Sequence, residues 1–307
     1  MRNVLLAASR SSWLRERATR YRFVRRAVIR FMPGERLEDA LEAARGLGTG
    51  RMSAIVTCLG ENVSHPDEAA AVKRHYLEVF DKVSAMGLDV EVSVKLTHLG
   101  LDLSPDLAAG HVADLARRAA GNRSRLWIDM EDSSYTDATL DVYRKVRPAH
   151  PTLGVCLQSY LRRTQADLES LLPLGPSIRV VKGAYREPPD KAFPRKSDVD
   201  ENFFKLSARL LSAEALAAGA WTVIGTHDPV LVDRIQARAE ALGVARDGFE
   251  FDLLYGIRRD LQARLVDGGW KVRVLISYGS QWFPWYMRRL AERPANLWFV
   301  ARGILAR

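Results

Sequence analysis

LGVCLQSYLRRTQADLESLLPLGPSIRVVKG, residues 153–183, is the stretch that decides how this chain folds. It opens on one apolar run, LGVCLQ (153–158), and closes on another, IRVVKG (178–183). The residues between them read as a helix. Near-continuous hydrophobic runs of about four to eight residues are the pattern of strands buried on both faces. Two such strands joined through one helix are parallel, because a parallel pair needs a crossover long enough to return the chain to the same end of the sheet.

The same unit recurs in both directions. AIVTCL (54–59), VEVSVKL (90–96) and RLWIDM (125–130) precede it, and WTVIGT (221–226), FEFDLL (249–254) and VRVLIS (272–277) follow, which makes eight runs in all. The connections are amphipathic. In residues 66–86, Val72, Tyr76, Val79, Val83 and Met86 fall on one helix face, with Ser64 placed to cap, Pro66 in the first turn and Gly87 at the stop. Phe203, Leu206, Leu210 and Ala213 predict a second such helix over 199–216. Eight strand–helix units predict an α/β fold, a closed (β/α)8 TIM-like barrel. The competing doubly wound open sheet lacks its main support, since no Gly-x-Gly-x-x-Gly follows any run. The barrel is expected over 51–307, preceded by a basic helical arm over 1–50 that packs against it. The connection after the fifth run carries Pro188, Pro189 and Pro194 and is expected as a loop over one barrel end.

Composition narrows the class. Apolar residues are 47% and charged residues 27% of the chain, as in soluble globular proteins, which excludes disordered and fibrous classes. No run approaches the roughly 18 uncharged apolar residues of a membrane span. The apolar run Val4–Ala8 is too short for a secretory signal, so a cytoplasmic location is expected. Cys58 and Cys156 each sit inside a strand-like run and read as buried thiols; no Cys-x-x-Cys or His/Cys cluster suggests a metal. Residues 1–30 hold nine arginines and one acidic residue, Glu16, within a net charge of +9. Such a segment would be drawn to nucleic acid or an anionic membrane surface. No known nucleic-acid motif accompanies it, so no nucleic-acid partner is expected.

Barrel enzymes place their chemistry where strands end and the following loops begin. Here Lys95, Asp129, Gln158 and Lys182 close the second to fifth runs, and Thr226 with His227 closes the sixth. Each has a plainer reading; Asp129 heads an acidic loop with Glu131 and Asp132, and His227 precedes Asp228 and Pro229 at a helix start. A packed core does not call for lysine and aspartate on successive strand ends, and converging on one mouth they would form a polar site. Near the C-terminus Arg288 and Arg289 follow one another in a segment that reads as the last helix. About 100° apart around its axis, they can approach one carboxylate or phosphate from two sides.

Several segments resemble the proline dehydrogenase family. IRVVKGAYREP (178–188) is similar to that family's R-x-x-K-G-A-Y segment, FEFDLLYG (249–256) to its seventh-strand motif, and YGSQWFPWYMRRLAERPAN (278–296) to its C-terminal substrate helix. SVKL (93–96), IDMED (128–132), LQSYLRRT (157–164) and GTHDP (225–229) match in the same order, so the resemblance covers about residues 50–300. It implies oxidation of L-proline to Δ1-pyrroline-5-carboxylate on non-covalent FAD by hydride transfer to flavin N5. Electrons would then pass to a quinone in the membrane, with peripheral membrane contact compatible. It further implies that Arg288, Arg289 and Lys95 bind the substrate carboxylate, that Asp129 sits beside Lys95 and fixes its charge and orientation, and that Arg179 lies near flavin N5 and favours the reduced, anionic flavin. Met130, Gln158, Lys182, Gly183, Ala184, Thr226 and His227 would contact FAD. Glu61 would pair with Arg289 as a gate over bound substrate.

Two positions depart from the family pattern. The eighth strand has Leu275 and the last helix has Trp285 where the family usually has tyrosines. Both changes remove a hydroxyl from the pocket wall, so a different cyclic amino or imino acid is the alternative substrate. A basic binding protein that docks through its arm on nucleic acid or anionic lipid is the reading from another class, and the motifs at 178–188 and 225–229 argue against it.

Overall fold

A computed structural model of the chain, which describes residues 28–283, 286 and 287, contains one closed barrel of eight parallel strands. The strands are β1 (Ser53–Cys58), β2 (Val90–Val94), β3 (Leu126–Ile128), β4 (Leu153–Gln158), β5 (Ser177–Val181), β6 (Trp221–Gly225), β7 (Glu250–Leu254) and β8 (Lys271–Tyr278). Each pairs with its sequence neighbours, and β8 returns to β1 over Ser53–Cys58 to close the ring. The expected (β/α)8 architecture is therefore present, and closure leaves no strand edge unpaired. Every residue of β2 and β4 is buried, because helices cover the outside and side chains fill the inside.

The helices are α1 (Leu37–Thr49), α2 (Pro66–Ala85), α3 (Pro105–Gly121), α4 (Thr136–Val146), α5 (Thr164–Leu171), α6 (Lys196–Leu210), α7 (Ala213–Ala217), α8 (Pro229–Ala241) and α9 (Arg259–Asp267). In α2 the predicted face is largely the buried one, with Tyr76, Val79 and Val83 joined by Phe80. Its N-cap is His65 rather than Ser64. The Ser64 amide instead donates to the Glu68 carboxylate at 2.9 Å. Gly87 takes φ +61° just past the end, as its assigned stop requires. The helix expected over 199–216 is two helices. Ser212 breaks the run and caps α7 by accepting from the Ala215 amide at 3.3 Å, which leaves Ala213 exposed. From the segment expected as an arm, α1 lays Leu37, Ala40, Leu41 and Ala44 into the main hydrophobic core beside β8 and β1. Residues 1–27 of that segment lie outside the described residues.

Inward-facing residues stack in layers along the barrel axis. At the N-terminal end of the strands Arg273 chelates Glu250 at 2.9 and 3.2 Å and reaches Asp89 at 3.1 Å and Glu91 at 3.5 Å. Trp127 Nε1 donates to Glu91 at 2.6 Å. Above this ionic plug lies an apolar layer of Ile55, Trp127 and Val223, with Leu275 against it. Toward the C-terminal ends the lining turns polar again, and there the barrel opens.

Candidate active site

Arg179 projects from the middle of β5 into that upper layer and is only 2% exposed. Gly225 on neighbouring β6 packs tightly against β5 beside it. A Cβ at Gly225 would stand 2.8 Å from Val181 Cγ1 and 3.9 Å from Arg179 Cγ, so no larger residue fits the wall there. The guanidinium spans the lumen. Nε donates to Cys156 Sγ on β4 at 2.8 Å, Nη1 to Asp252 Oδ2 on β7 at 3.1 Å, and Nη2 to Ser93 Oγ on β2 at 2.8 Å and to Asp129 Oδ1 after β3. Trp127 of the apolar layer lies 5.3 Å from the guanidinium carbon. Burial works against the charge on Arg179, but the hydrogen bond to the Cys156 sulfur and the carboxyl groups of Asp129 and Asp252 outweigh it and hold the group protonated. Burial likewise raises the Cys156 thiol to about 12 and the Cys58 thiol to about 11, so both stay protonated at neutral pH. Asp252 is pushed up to about 7 by burial, with Arg179 opposing.

This layer forms the floor of a cavity of about 850 Å³ at the C-terminal mouth of the barrel. Lys95, Asp129, Met130, Gln158, Arg179, Lys182, Gly183, Ala184, Thr226, His227 and Leu275, all singled out from the sequence, line it together. The proline-containing loop after β5 lines it too, through Tyr185, Phe193, Pro194 and Arg195. Glu61 is brought in as the ion-pair partner of Lys95. Asp129 was expected to fix Lys95, but its carboxylate is instead engaged by Arg179 and by Ser93 Oγ at 2.8 Å. Lys95 takes its counter-charge from Glu61, whose expected partner Arg289 lies outside the described residues, as do Arg288 and Trp285. Burial and Lys95 together depress the imidazolium of nearby His98 to about 4, so that ring is neutral.

The far side of the cavity carries a second charged group. Lys182 Nζ sits 2.6 Å from Asp200 and 3.0 Å from Asp228, and Lys196 shares both carboxylates. Asp228 also caps α8 by accepting from the Val230 amide at 3.2 Å. His227 Nε2 accepts from the Leu254 amide at 2.9 Å, which fixes its proton on Nδ1 and ties the β6 end to β7. Gly183 takes φ +112°, and a Cβ there would stand 2.5 Å from the Tyr160 ring. Glycine is needed for both reasons, and Tyr160 is the neighbour the sequence did not reveal. Asp252, Ser93, Cys156 and Tyr160 are the site residues that reading by strand ends missed. For Asp252, Ser93 and Cys156 the signal was a polar residue or thiol at an inward position inside an otherwise apolar run; Tyr160, two residues past the end of β4, carried none.

A flavin fits these residues. The volume lies within the range of pockets that enclose cofactors. Gln158 donates to the Met130 carbonyl at 3.3 Å while its Oε1 is buried without a partner among the described residues, an acceptor waiting for a ligand N–H. Lysines at the rim suit a pyrophosphate. No group of His, Cys, Asp and Glu able to hold a metal occurs among the described residues.

A sequence model described as proline dehydrogenase matches residues 40–302. Proline dehydrogenase 2 of Bacillus subtilis strain 168 is 35% identical over 303 residues, covering 99% of this chain and 98% of its own length. The chain belongs to the proline dehydrogenase family. A further relative, named proline dehydrogenase, from Deinococcus radiodurans is 36% identical over 281 residues, covering 90% of this chain and 89% of its own. Among solved structures, proline utilization A of Bdellovibrio bacteriovorus, inactivated by N-propargylglycine, superposes with a TM-score of 0.81 at 23% identity over 88% of this chain. The chain spans 33% of that longer protein, and the likeness carries the barrel fold. Among the described residues no helix is long and apolar enough to cross a membrane.

Proposed function

We propose that this chain oxidises L-proline to Δ1-pyrroline-5-carboxylate with FAD held in the barrel-mouth cavity and a quinone as the electron acceptor. The observation that carries the reading is the convergence of Lys95, Asp129, Gln158, Arg179, Lys182 and His227 on one cavity, in a chain whose relatives bear that activity in their names.

FAD, when bound, supplies the two-electron acceptor for the ring carbon next to the proline nitrogen. The chain supplies placement and charge. Lys95, released from Glu61, binds the substrate carboxylate, with Arg288 and Arg289 as the further donors. Glu61 then serves as the anionic gate that the incoming carboxylate displaces. Arg179, locked by Cys156, Ser93, Asp129 and Asp252, cannot swing away and holds its guanidinium fixed at the cavity floor, its charge offset by the two carboxyl groups it serves. Cations around the site lower the proton affinity of the substrate amine, which must be neutral to give up electrons. Lys182, Gln158, Met130, Gly183, Ala184, Thr226 and His227 hold the cofactor.

A second reading is a different cyclic amino or imino acid. It is favoured by Leu275, which packs with Ile55, Trp127 and Val223 on the barrel lining and offers no hydroxyl. The experiment that separates the readings is an anaerobic titration of the purified protein with L-proline and then with larger or substituted imino acids, read in the flavin visible band. Bleaching by L-proline supports the first reading. Yellow protein bleached only by another imino acid supports the second, and colourless protein that gains no flavin on addition of FAD refutes both.

A further inference from the structure

Asp252 is unusual among the floor residues. It faces inward from the middle of β7, is 5% exposed and lines the cavity. One carboxylate oxygen accepts from Arg179 at 3.1 Å, while the other, Oδ1, is buried with no partner among the described residues. The groups around it are unbalanced. Arg179 on β5 is shared with Asp129 after β3, and the Cys156 thiol on β4 adds no charge. On β8, Arg273 lies alongside in register, but it is chelated by Glu250 two residues back on β7. On β6 the register partner is Gly225, and His227 beyond it is held at Nε2 by the Leu254 amide. One guanidinium therefore serves two carboxyl groups, and a buried oxygen without a donor is the place where a proton compensates.

We propose that Asp252 is a positioning residue whose unpaired oxygen takes and releases a proton, and that it thereby sets how much of the Arg179 charge is felt by the electron-accepting ring above. This inference rests on the flavin reading given above. With Asp252 protonated, the Arg179–Asp129–Asp252 group is neutral; with it ionised, the group carries one negative charge. Of the two electrons and two protons that an amine loses on becoming an imine, the flavin takes both electrons and one proton, and the other proton leaves for solvent. Negative charge arriving on the ring raises the proton affinity of Asp252, so flavin reduction draws a proton to this carboxyl at neutral pH.

The test compares the flavin midpoint potential of wild type and D252N, both FAD-loaded, from pH 5 to 9. The wild-type potential is expected to fall with an extra slope through neutrality that D252N lacks. At pH 9 the reduced-to-oxidised ratio at fixed poise should be about tenfold higher in D252N, about 30 mV. One charge acting on the ring at an effective dielectric of about 20 has an effect of that order. Parallel profiles overturn the inference. If D252N does not fold, proton uptake on dithionite reduction of wild type decides, and uptake that does not change across neutral pH overturns it. A colourless chain sinks the flavin reading instead, and the carboxyl is then judged by unfolding. The stability gap between wild type and D252N should shift against wild type as pH rises from about 4 to 7, because the folded chain holds a proton there that the unfolded chain has lost. A constant gap overturns the inference.

Discussion

Arg179→Met and Arg273→Met form a matched pair, since both arginines are buried in the barrel lumen and both hold two or more carboxylates. Removing Arg273 takes the cation from Glu250 and leaves Glu91 with only the more distant Arg125 at 3.9 Å, and burial already raises the proton affinity of Glu91. Removing Arg179 takes the shared cation from Asp129 and Asp252 and the donor from Ser93 Oγ and Cys156 Sγ, which keep only Asp129 as a partner. Breaking a buried pair by deleting one partner costs about 3–5 kcal/mol. At about 2–4 °C per kcal/mol for a chain approaching this size, each variant should lose roughly 6–20 °C in Tm. Their effects on turnover should differ. Arg273 lies beneath the apolar layer of Ile55, Trp127 and Val223, so Arg273→Met, assayed well below its Tm, should keep kcat within about twofold. Arg179 lines the cavity, so Arg179→Met should lose at least about a hundredfold in kcat, the size of a lost electrostatic stabiliser. Thermal unfolding and steady-state oxidation of L-proline read both. Equal losses of kcat in the two variants, or an Arg179→Met protein as stable as wild type, would refute the assignment of one ionic layer to stability and the other to chemistry.

Other outcomes follow from single residues. Gly183→Ala combines a positive φ with a contact against Tyr160; it should cost about 2–5 kcal/mol and lower the flavin content of the purified protein, and full FAD occupancy at wild-type Tm would count against it. Lys95→Met removes the cation paired with Glu61 and should reduce kcat/KM for L-proline by roughly 10–100-fold, mostly through KM; an unchanged KM would mean that the carboxylate binds elsewhere. Cys58 and Cys156, raised to about 11 and about 12 by burial, should react with a thiol reagent at pH 8 at least about a hundredfold more slowly in native protein than in denaturant. Rapid native labelling of either would contradict the placement.

What the sequence made readable has a physical basis. Strands buried on both faces, such as VEVSVKL and LGVCLQ, cannot hide their apolar content, so the eight runs stood out and their order predicted the barrel. A lysine or aspartate at the end of such a run is equally plain, which is why Lys95, Asp129 and Lys182 were found. Pairings across the lumen were not legible. That Asp129 serves Arg179 and Lys95 serves Glu61 depends on how eight strands are staggered on closure, and spacing along one strand carries none of that. Asp252 was passed over because it sits within FEFDLL, where the run reads as core; only its inward direction on β7 puts it beside Arg179. The break between α6 and α7 was hidden because Leu210 and Ala213 keep helical spacing across a serine that caps instead.

Pyrrolidine, which is proline without its carboxylate, gives the most direct test of the account. If the site recognises a ring by clamping its carboxylate against cations at the barrel mouth, pyrrolidine should reduce the bound flavin at least about a hundredfold less efficiently than L-proline at equal concentration, since charge-assisted hydrogen bonds worth about 1.5–3 kcal/mol each are lost. Anaerobic stopped-flow reduction followed in the visible band gives both rates. Reduction by pyrrolidine as fast as by L-proline would show that the cations around Lys95 do not hold the substrate, and the account would fail at its centre.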